Sequence, residues 1–481
     1  MNFLSEIFAL FLIVTLFFNY LVSAKYRKYV LLISSIIFYA YSSLKNVFLV
    51  LLISLSAYFV GYLIKNKSHK KMIYFFGIIT ILSPLMYFKY INFIFEMLNR
   101  FFTCQMNYIE LVVPLGISFL TFQAISYISD IYYGKIEHEK NIINVLTFIM
   151  FFPNVSSGPI QRARNFLPQI NRRAVYDYNQ IKHGLYLVAF GCLQKFCISD
   201  FLYPIVNQMT NNFQAYSGFH YLFFACCYAL YIYSNFNSYS DMAIGIAELL
   251  DIKFRMNFKR PYLSTSIKEF WQRWHISLNE WFVDYIYIPL GGSRNGKLKK
   301  YINIMIVFLI SGIWHGAGLH FVAWGGINAM YQIIGDITYD FRNKIYNRFN
   351  IDQSTIGFKT LQRVTVFVLI SFSWIFFAIP SFRLSLQAIQ SIFSFDISTL
   401  FDGVILGLLG TNENIIFMFI AIISFVIIQI TREKNSLMSI LGKESPLLRY
   451  TLYVFVTVVI IILWSSSFKG SGNGGFVYFD F

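Results

Sequence analysis

Residues 301–320 read YINIMIVFLISGIWHGAGLH, an apolar stretch that is long enough to enter a membrane as a helix. His315 lies about 15 residues beyond the basic flank at 299–300, which at about 1.5 Å per helical residue places it on the order of 20 Å into a hydrocarbon layer of about 30 Å. An ionisable side chain at that depth is costly, and it usually lines a cavity or a path. Of its two neighbours, Trp314 has a bulky side chain and Gly316 has none, which leaves space beside the imidazole. The stretch therefore predicts a reaction centre inside the membrane at His315.

The composition of the whole chain indicates a membrane protein. Hydrophobic residues make up 57% of the 481 residues, charged residues make up only 13%, and the mean hydropathy is +0.56. A soluble protein of this size would need far more charge to cover its surface. The net charge of +16 does not indicate a nucleic-acid partner, because many basic residues lie in short loops between apolar runs. The positive-inside rule explains that arrangement.

Apolar runs recur along the chain and predict an all-α polytopic membrane protein with one membrane-embedded domain over residues 1–481. The first run lacks a basic n-region, so it is interpreted as a retained helix rather than a signal peptide. The basic stretches 25–28 and 65–71 bracket two helices and are expected in the cytosol, with the N-terminus outside. The candidate spans are 3–22, 29–42, 46–64, 72–90, 110–132, 142–153, 182–204, 217–236, 301–314, 319–337, 362–380, 411–431 and 449–467.

Two segments interrupt the apolar pattern. Residues 151–169 contain three prolines and Gly158, which argue against one regular helix. Residues 259–300 centre on a stretch, 266–287, whose pattern predicts one continuous helix. On that helix an apolar face rich in tryptophan lies beside a polar stripe, and the pattern fits an interface or a protein-lined funnel better than lipid. The stripe consists of Arg273, Ser277, Glu280 and Asp284.

Two histidines and one polar patch are the candidate functional groups. His315 and His275 are candidates for chemistry, and for each the alternative is a structural role, as a hydrogen-bonded helix residue or as an interfacial anchor. The polar residues near 235–241 either cap an apolar helix or line a reaction chamber. His320 is a poor metal partner for His315, because a spacing of five residues puts the two on different helical faces. Four of the five cysteines lie in apolar stretches without a CxxC pair, so no metal site is expected.

Proton abstraction by a buried neutral histidine is the chemistry that these residues support. Such an imidazole can remove a proton from a bound hydroxyl or thiol. The sequence contains no G-x-S-x-G elbow that would present a nucleophilic serine. General-base catalysis at His315 is therefore the leading hypothesis, and a transporter or flippase without chemistry is the alternative from another class.

Several motifs together resemble the membrane-bound O-acyltransferases. Residues 270–294 read FWQRWHISLNEWFVDYIYIPLGGSR, and residues 311–317 read SGIWHGA. The resemblance is to the bacterial branch that includes alginate and peptidoglycan O-acetyltransferases and the teichoic acid D-alanyl transferases, and it extends over most of the chain. Two positions depart from the family pattern, at 235–238 and at Val283. Further matching motifs are PLGISF at 114–119, TFQAISY at 121–127, FFP at 151–153, GP at 158–159 and YSDMAIG at 239–245.

The resemblance implies a fold and roles for individual residues. The implied fold is a ring of about 11 transmembrane helices, with re-entrant or interfacial helices, around a central tunnel. His315 matches the family's catalytic histidine, and His275 matches a second histidine near the cytosolic side of the chamber. We assign tunnel-lining or substrate-binding roles to Trp314, Trp274, Ser277, Trp281, Asn235, Ser238 and Asp241.

The same resemblance implies a reaction and its partners. The expected enzyme is an O-acyltransferase of a bacterial plasma membrane, in particular an O-acetyltransferase, with no bound cofactor. The donor would be acetyl-CoA or another cytosolic thioester, and the acceptor an extracytoplasmic hydroxyl of a cell-surface glycan. A long polymer cannot readily enter a narrow tunnel, so an extracytoplasmic acyltransferase partner is expected to complete the reaction. The alternative within the family is D-alanyl transfer from a carrier-protein thioester.

Overall fold

A computed structural model of the chain describes residues 1–66, 69–102, 105–155, 157–394, 396–434, 442, 444–469 and 476. These residues are mostly helical, and they contain no β-strand. The α-helices are α1 (Glu6–Leu21), α2 (Ala24–Ser42), α3 (Leu44–Asn66), α4 (Lys70–Phe102), α5 (Ile117–Tyr132), α6 (Ile142–Met150), α7 (Ala163–Ile170), α8 (Tyr178–Gln194), α9 (Asp200–Asn211), α10 (Phe219–Leu249), α11 (Ile267–Arg273), α12 (Ile276–Phe282), α13 (Gly296–His315), α14 (Leu319–Ile337), α15 (Tyr339–Arg348), α16 (Ile356–Ala378), α17 (Phe382–Ile392), α18 (Ser398–Phe401), α19 (Val404–Leu409), α20 (Asn412–Lys434) and α21 (Pro446–Lys469).

Among the described residues, six helical segments are long and apolar enough to cross a membrane. Every candidate span of the sequence overlaps a helix, but several of those helices are shorter than a bilayer requires or carry polar residues, as α1 and α10 do. Length and hydropathy alone therefore support fewer spans than the expected number of about 11. The six segments are Leu44–Lys65, Lys70–Phe102, Tyr178–Asn211, Ile356–Ala378, Asn412–Thr431 and Pro446–Ser465.

One irregular region follows from prolines between α6 and α8. Residues 151–169 form a short 3₁₀ turn, Phe152–Asn154, and then α7, so the prediction that they are not one regular helix is confirmed. Ser156 within this region lies outside the described residues, as do Lys67 and Ser68 of the basic stretch 65–71.

The polar patch near 235–241 lies in the middle of a helix, which corrects the idea of a loop cap. α10 continues to Leu249, thirteen residues beyond the end of the candidate span at 236. The helix packs so closely against α8 that a Cβ atom at Gly184 would lie 2.8 Å from the carbonyl oxygen of Gly245. Glycines at the crossing permit this backbone approach. The polar side chains of α10 are therefore enclosed by protein.

Arg27 joins the N-terminal helices to the rest of the fold, and it corrects the prediction of a basic loop at 25–28. The segment is the first turn of α2, and Arg27 is 0% exposed. Its guanidinium donates to the side chain of Asn19 (3.0 Å) and to the carbonyl oxygens of Gln169 (2.7 Å) and Leu250 (2.5 Å). A buried guanidinium with several acceptors fixes the relative positions of these segments.

Candidate active site

His315 is the last residue of α13, and aromatic side chains from three helices surround it. The side chain is buried, with 6% of its surface exposed. Its ring centroid lies 4.6 Å from that of Trp314, 5.1 Å from Trp324 of α14 and 4.9 Å from Phe377 of α16. The helix ends there because Gly316 is extended, with φ −179° and ψ 164°. The imidazole is thus presented at a helix end rather than along a continuous helix.

Two glycines bring α13 and α14 into close contact just before this end. A Cβ atom at Gly312 would overlap the backbone carbonyl of Phe321, and one at Gly325 would overlap the carbonyl of Phe308. The two contacts are reciprocal, since each helix supplies one glycine and one carbonyl. Only a residue without a side chain allows such an approach. The α13–α14 pair therefore forms a close-packed support for His315.

His275 lies at a break in the segment that the sequence predicts as one helix over 266–287. That prediction is wrong in detail: α11 ends at Arg273, α12 begins at Ile276, and a π-helical turn, Val283–Tyr287, follows. His275 itself has a left-handed backbone, with φ 44° and ψ 53°, which non-glycine residues seldom adopt. Such a conformation persists only where the surroundings enforce it.

Hydrogen bonds around the break show what enforces the left-handed conformation of His275. The Asn279 side chain donates to the carbonyl oxygens of Trp271 (2.6 Å) and Trp274 (2.5 Å), which the broken helix leaves without helical partners. The backbone N–H of Ile276 donates to the carbonyl of Asn257 at 2.8 Å. The His275 ring then packs against Phe236 of α10, with centroids 4.7 Å apart. The break turns His275 towards the protein interior, where it is 2% exposed.

The polar stripe expected along one helix face is divided among separate partners. Arg273 pairs with Glu269 at 2.7 Å, and Glu280 pairs with Arg255 at 2.7 Å. Ser277 points inward, where its hydroxyl donates to Asn257 (2.8 Å) and accepts from the backbone N–H of Ile160 (2.9 Å). The break at His275 explains the difference, because it rotates α12 relative to α11.

The two histidines line one small cavity. Its volume is about 10 Å³, which is about the space that one water molecule needs. Trp274 also lines it, and Ser311 and Asn279 supply polar atoms, while the tunnel-lining role of Trp274 stays a prediction. Tryptophans from α11, α14 and α16 complete the wall. The lining residues are Trp271, Trp274, His275, Leu278, Asn279, Ser311, His315, Trp324, Trp374 and Phe377.

Two larger cavities adjoin this small one from opposite ends of α13. The first, here called the basic cavity, has a volume of about 780 Å³ and follows α13 from Lys300 to Ser311. Arg164, Arg255 and Lys268 also line it. The second, here called the α4 cavity, has a volume of about 630 Å³ and is lined by His315 and by residues of α4 between Phe88 and Asn99. The basic cavity shares Trp271, Asn279 and Ser311 with the small cavity, and the α4 cavity shares His315 with it.

The remaining predicted site residues lie outside the small cavity. Trp314 packs between Phe122 (5.3 Å between centroids) and His315. Trp281 stacks on Phe122 at 4.1 Å and donates from its indole to the carbonyl of that residue. Both tryptophans form the layer behind the histidines, so their tunnel-lining role remains a prediction.

The predicted residues of α10 belong to a separate polar network. Asn235 donates to Ser199 at 2.9 Å, and Asp241 accepts from Gln194 at 2.9 Å. Ser238 donates to the carbonyl of Asn235 within the helix. None of the three is among the described residues that line the small, basic or α4 cavities. The structure thus places them behind His275, on the side of α10 that faces α8.

The sequence interpretation missed Lys89 of α4. Its ammonium donates to the backbone carbonyl of Trp314 at 2.7 Å, and the residue lines the α4 cavity beside His315. A lysine near the end of the candidate span 72–90 is a charge in apolar surroundings. That feature alone marks an intramembrane functional residue, and it was available from the sequence.

Sequence comparisons with known proteins assign the chain to a family. The model of the membrane-bound O-acyltransferase family (MBOAT) matches residues 136–379. A probable alginate O-acetylase of Azotobacter vinelandii is 32% identical over 413 residues, which cover 84% of this chain and 80% of the relative. The chain belongs to the membrane-bound O-acyltransferase family. The matched residues include both His275 and His315.

Other members of the family are more distant. The peptidoglycan O-acetyltransferase of Helicobacter pylori is 28% identical over 394 residues, covering 76% of this chain and 73% of the relative. The teichoic acid D-alanyltransferase of Bacillus subtilis is 28% identical over 280 residues, covering 56% of this chain and 69% of the relative. Membership confirms the predicted all-α polytopic membrane fold and the acyltransferase activity. It favours an enzyme over the transporter alternative.

Proposed function

We propose that this acyltransferase moves an acetyl group from a cytosolic thioester to an extracytoplasmic hydroxyl, with His315 as the general base. The transfer would serve the modification of a cell-surface glycan. The observation that carries the proposal is the arrangement of the cavities. A cavity of about 780 Å³ and one of about 630 Å³ adjoin the small cavity at the two histidines from opposite ends of α13. Reactants that approach through these two cavities can meet beside His315.

The charges assign a side of the membrane to each cavity. α13 begins with Lys297, Lys299 and Lys300, and α4 begins with Lys70 and Lys71. The positive-inside rule puts both helix starts in the cytosol, so the basic cavity is cytosolic and the α4 cavity is extracytoplasmic. Four cations and two carboxylates line the basic cavity. An excess of positive charge suits the phosphates of a thioester donor such as acetyl-CoA.

The chemistry of the transfer uses one imidazole. A neutral His315 accepts the proton of the acceptor hydroxyl while the hydroxyl oxygen attacks the thioester carbonyl carbon. The carbon–sulfur bond breaks, and the imidazolium returns the proton to the departing thiolate, so an ester and a free thiol are formed. General-base catalysis of this kind contributes about 10²–10⁴-fold to the rate. His275, which lines the same small cavity, would orient the thioester.

The size of the small cavity favours a short acyl group. About 10 Å³ of free space between tryptophans is about the space of one water molecule, so any acyl group requires the wall to rearrange, and the smallest group requires the least rearrangement. A D-alanyl group is the second candidate, because the family match extends to teichoic acid D-alanyltransferases. The longer and more similar match to a probable alginate O-acetylase favours acetyl transfer.

A partner protein is part of the proposal. A polymer cannot readily reach His315 through the α4 cavity, so the acetyl group would leave on a small hydroxyl or on a residue of a second, extracytoplasmic acyltransferase. That enzyme would place it on the glycan. The location that follows for this chain is a bacterial plasma membrane.

Reconstitution with defined sides tests the function. Proteoliposomes that contain the chain receive radiolabelled acetyl-CoA on the side of the basic cavity and a short, membrane-impermeant sugar on the other side. We expect ester formation that depends on this sidedness and is lost in His315→Ala, with His320→Ala as the matched control. Equal activity with donor and acceptor on the same side would contradict the two-sided path. Transfer from D-alanyl thioesters alone would show that the chain is a D-alanyl transferase. Efficient acylation of added polymer without a second protein would show that no partner acyltransferase is required.

A further inference from the structure

Two consecutive residues of α4 contact the final turn of α13 immediately before His315. Lys89 Nζ donates to the carbonyl oxygen of Trp314 at 2.7 Å and lies 5.8 Å from the centre of the Trp314 ring. Tyr90 Oη donates to the carbonyl oxygen of Ile313 at 2.7 Å and approaches that of Trp314 at 3.3 Å. The Tyr90 side chain is buried, with 7% of its surface exposed. These hydrogen bonds are long-range in sequence, so folding rather than helix formation creates them.

The contacts satisfy a requirement that every helix end has. The last four carbonyl groups of a helix have no intrahelical donor, and cationic side chains at that end also interact favourably with the helix dipole. Gly316 is extended, so the chain after His315 does not supply a left-handed glycine cap. α4 supplies the donors in its place. An ionisable side chain within a membrane helix is costly, and one that contacts the turn before His315 indicates a role beyond holding two helices together.

We propose that Lys89 and Tyr90 are positioning residues, which fix the last turn of α13 and thereby place the His315 imidazole for the transfer reaction. The proposal rests on the function of His315 given above. The carbonyl of Trp314 accepts from Lys89, the preceding carbonyl of Ile313 accepts from Tyr90, and Trp314 is covalently joined to His315. A displacement of that turn would move the imidazole relative to the thioester carbonyl, and misplacement by about 1 Å can cost about 10²-fold in rate.

The position of Lys89 also links this support to the acceptor side. Lys89 lines the α4 cavity together with His315, Gly316 and Phe321. A group that enters this cavity from outside therefore meets the ammonium that holds the turn. The hydrogen bond from Lys89 to Trp314 thereby holds His315 at the inner end of the acceptor path.

Steady-state kinetics of purified variants test the proposal. Lys89→Met removes the ammonium at similar side-chain length, Lys89→Arg keeps a cationic donor, and Tyr90→Phe removes only the hydroxyl. Tyr87→Phe is the matched control, because Tyr87 is on the same helix and 47% exposed. We expect kcat to fall at least about tenfold in Lys89→Met and about three- to tenfold in Tyr90→Phe, with donor KM within about twofold of the parent. Lys89→Arg should restore most of the loss.

A double variant separates positioning from a purely structural role. Because both side chains support one turn, Lys89→Met and Tyr90→Phe together should cost little more than Lys89→Met alone. If both single variants keep kcat within about twofold while their thermal stability falls, the residues only stabilise the fold and the proposal is wrong. If Lys89→Met does not fold, Tyr90→Phe decides by the same criterion. Retained activity in His315→Ala would instead overturn the proposed function, so the two failures are distinguishable.

Discussion

The segments that carry the two histidines use opposite means to present a side chain to the same small cavity. His315 is at the end of a helix of 20 residues, held by glycine contacts to α14 and by donors from α4. His275 lies between two helices of 7 residues each, and its own backbone is left-handed. The first histidine is placed by packing between long helices, and the second by a strained turn held by hydrogen bonds. The first arrangement suits a group that must be positioned accurately, and the second suits a wall residue.

The largest expected effect is the difference between the two histidines in catalysis. His315→Ala should lower kcat by about 10²–10⁴-fold, because it removes the general base. His275→Asn should lower it less, since asparagine tolerates the left-handed backbone and removes only the ring. Both are measured in the same acetyl-transfer assay with His320→Ala as the control. The comparison is reversed if His275→Asn proves the more damaging change.

The next effect concerns the glycine support of His315. Gly312→Val should strongly reduce the yield of folded protein and its thermal stability, because the added atoms would overlap the backbone carbonyl of Phe321 and overpacking costs about 1–3 kcal/mol or more. Thermal unfolding in detergent measures this. Gly335→Ala on α14 is the control, since nothing lies within 4 Å of a Cβ atom there. A Gly312→Val protein as stable as the control would show that the helix pair is loosely packed.

A smaller effect is expected from the polar support of His275. Asn279→Ala leaves the carbonyl groups of Trp271 and Trp274 without their side-chain donor, and an unsatisfied buried polar group costs about 1–3 kcal/mol. The melting temperature should fall and transfer should slow severalfold, but by less than in His315→Ala. The exposed Asn347→Ala serves as the reference. An unchanged melting temperature would mean that the left-handed turn at His275 does not depend on the hydrogen bonds from Asn279.

The smallest effect is expected from single cysteines that test on which side of the membrane each of the two larger cavities opens. In a cysteine-free variant, Ser293→Cys of the basic cavity should react with an impermeant maleimide only from the cytosolic side. Ala317→Cys of the α4 cavity should react only from the outside. Labelling of both positions from one side would contradict the opposite orientation of the cavities.

Much of this protein could be predicted from composition and pattern. Apolar runs of membrane length predict an all-α polytopic fold, because in lipid a helix satisfies its backbone polar groups within its own segment. The depth of His315 in an apolar stretch, and the motifs around it, indicate the reaction class and one candidate for the reacting side chain. The break at His275 was missed because residues 266–287 have a helical pattern throughout. The left-handed turn there is enforced by Asn279 and by the backbone of Asn257, which are not signals of local periodicity.

The sequence by itself determined the membrane class, the presence of apolar helices and the place of His315 at the end of one of them. The tertiary structure alone decided which polar residues join it. Asn235, Ser238 and Asp241 look like candidates for the chamber, but α10 turns them towards α8 and Gln194. Lys89, more than 200 positions away, is brought to the carbonyl next to His315. Periodicity reports which face of a helix is apolar, but contacts between distant helices depend on where close glycine packing lets their backbones meet.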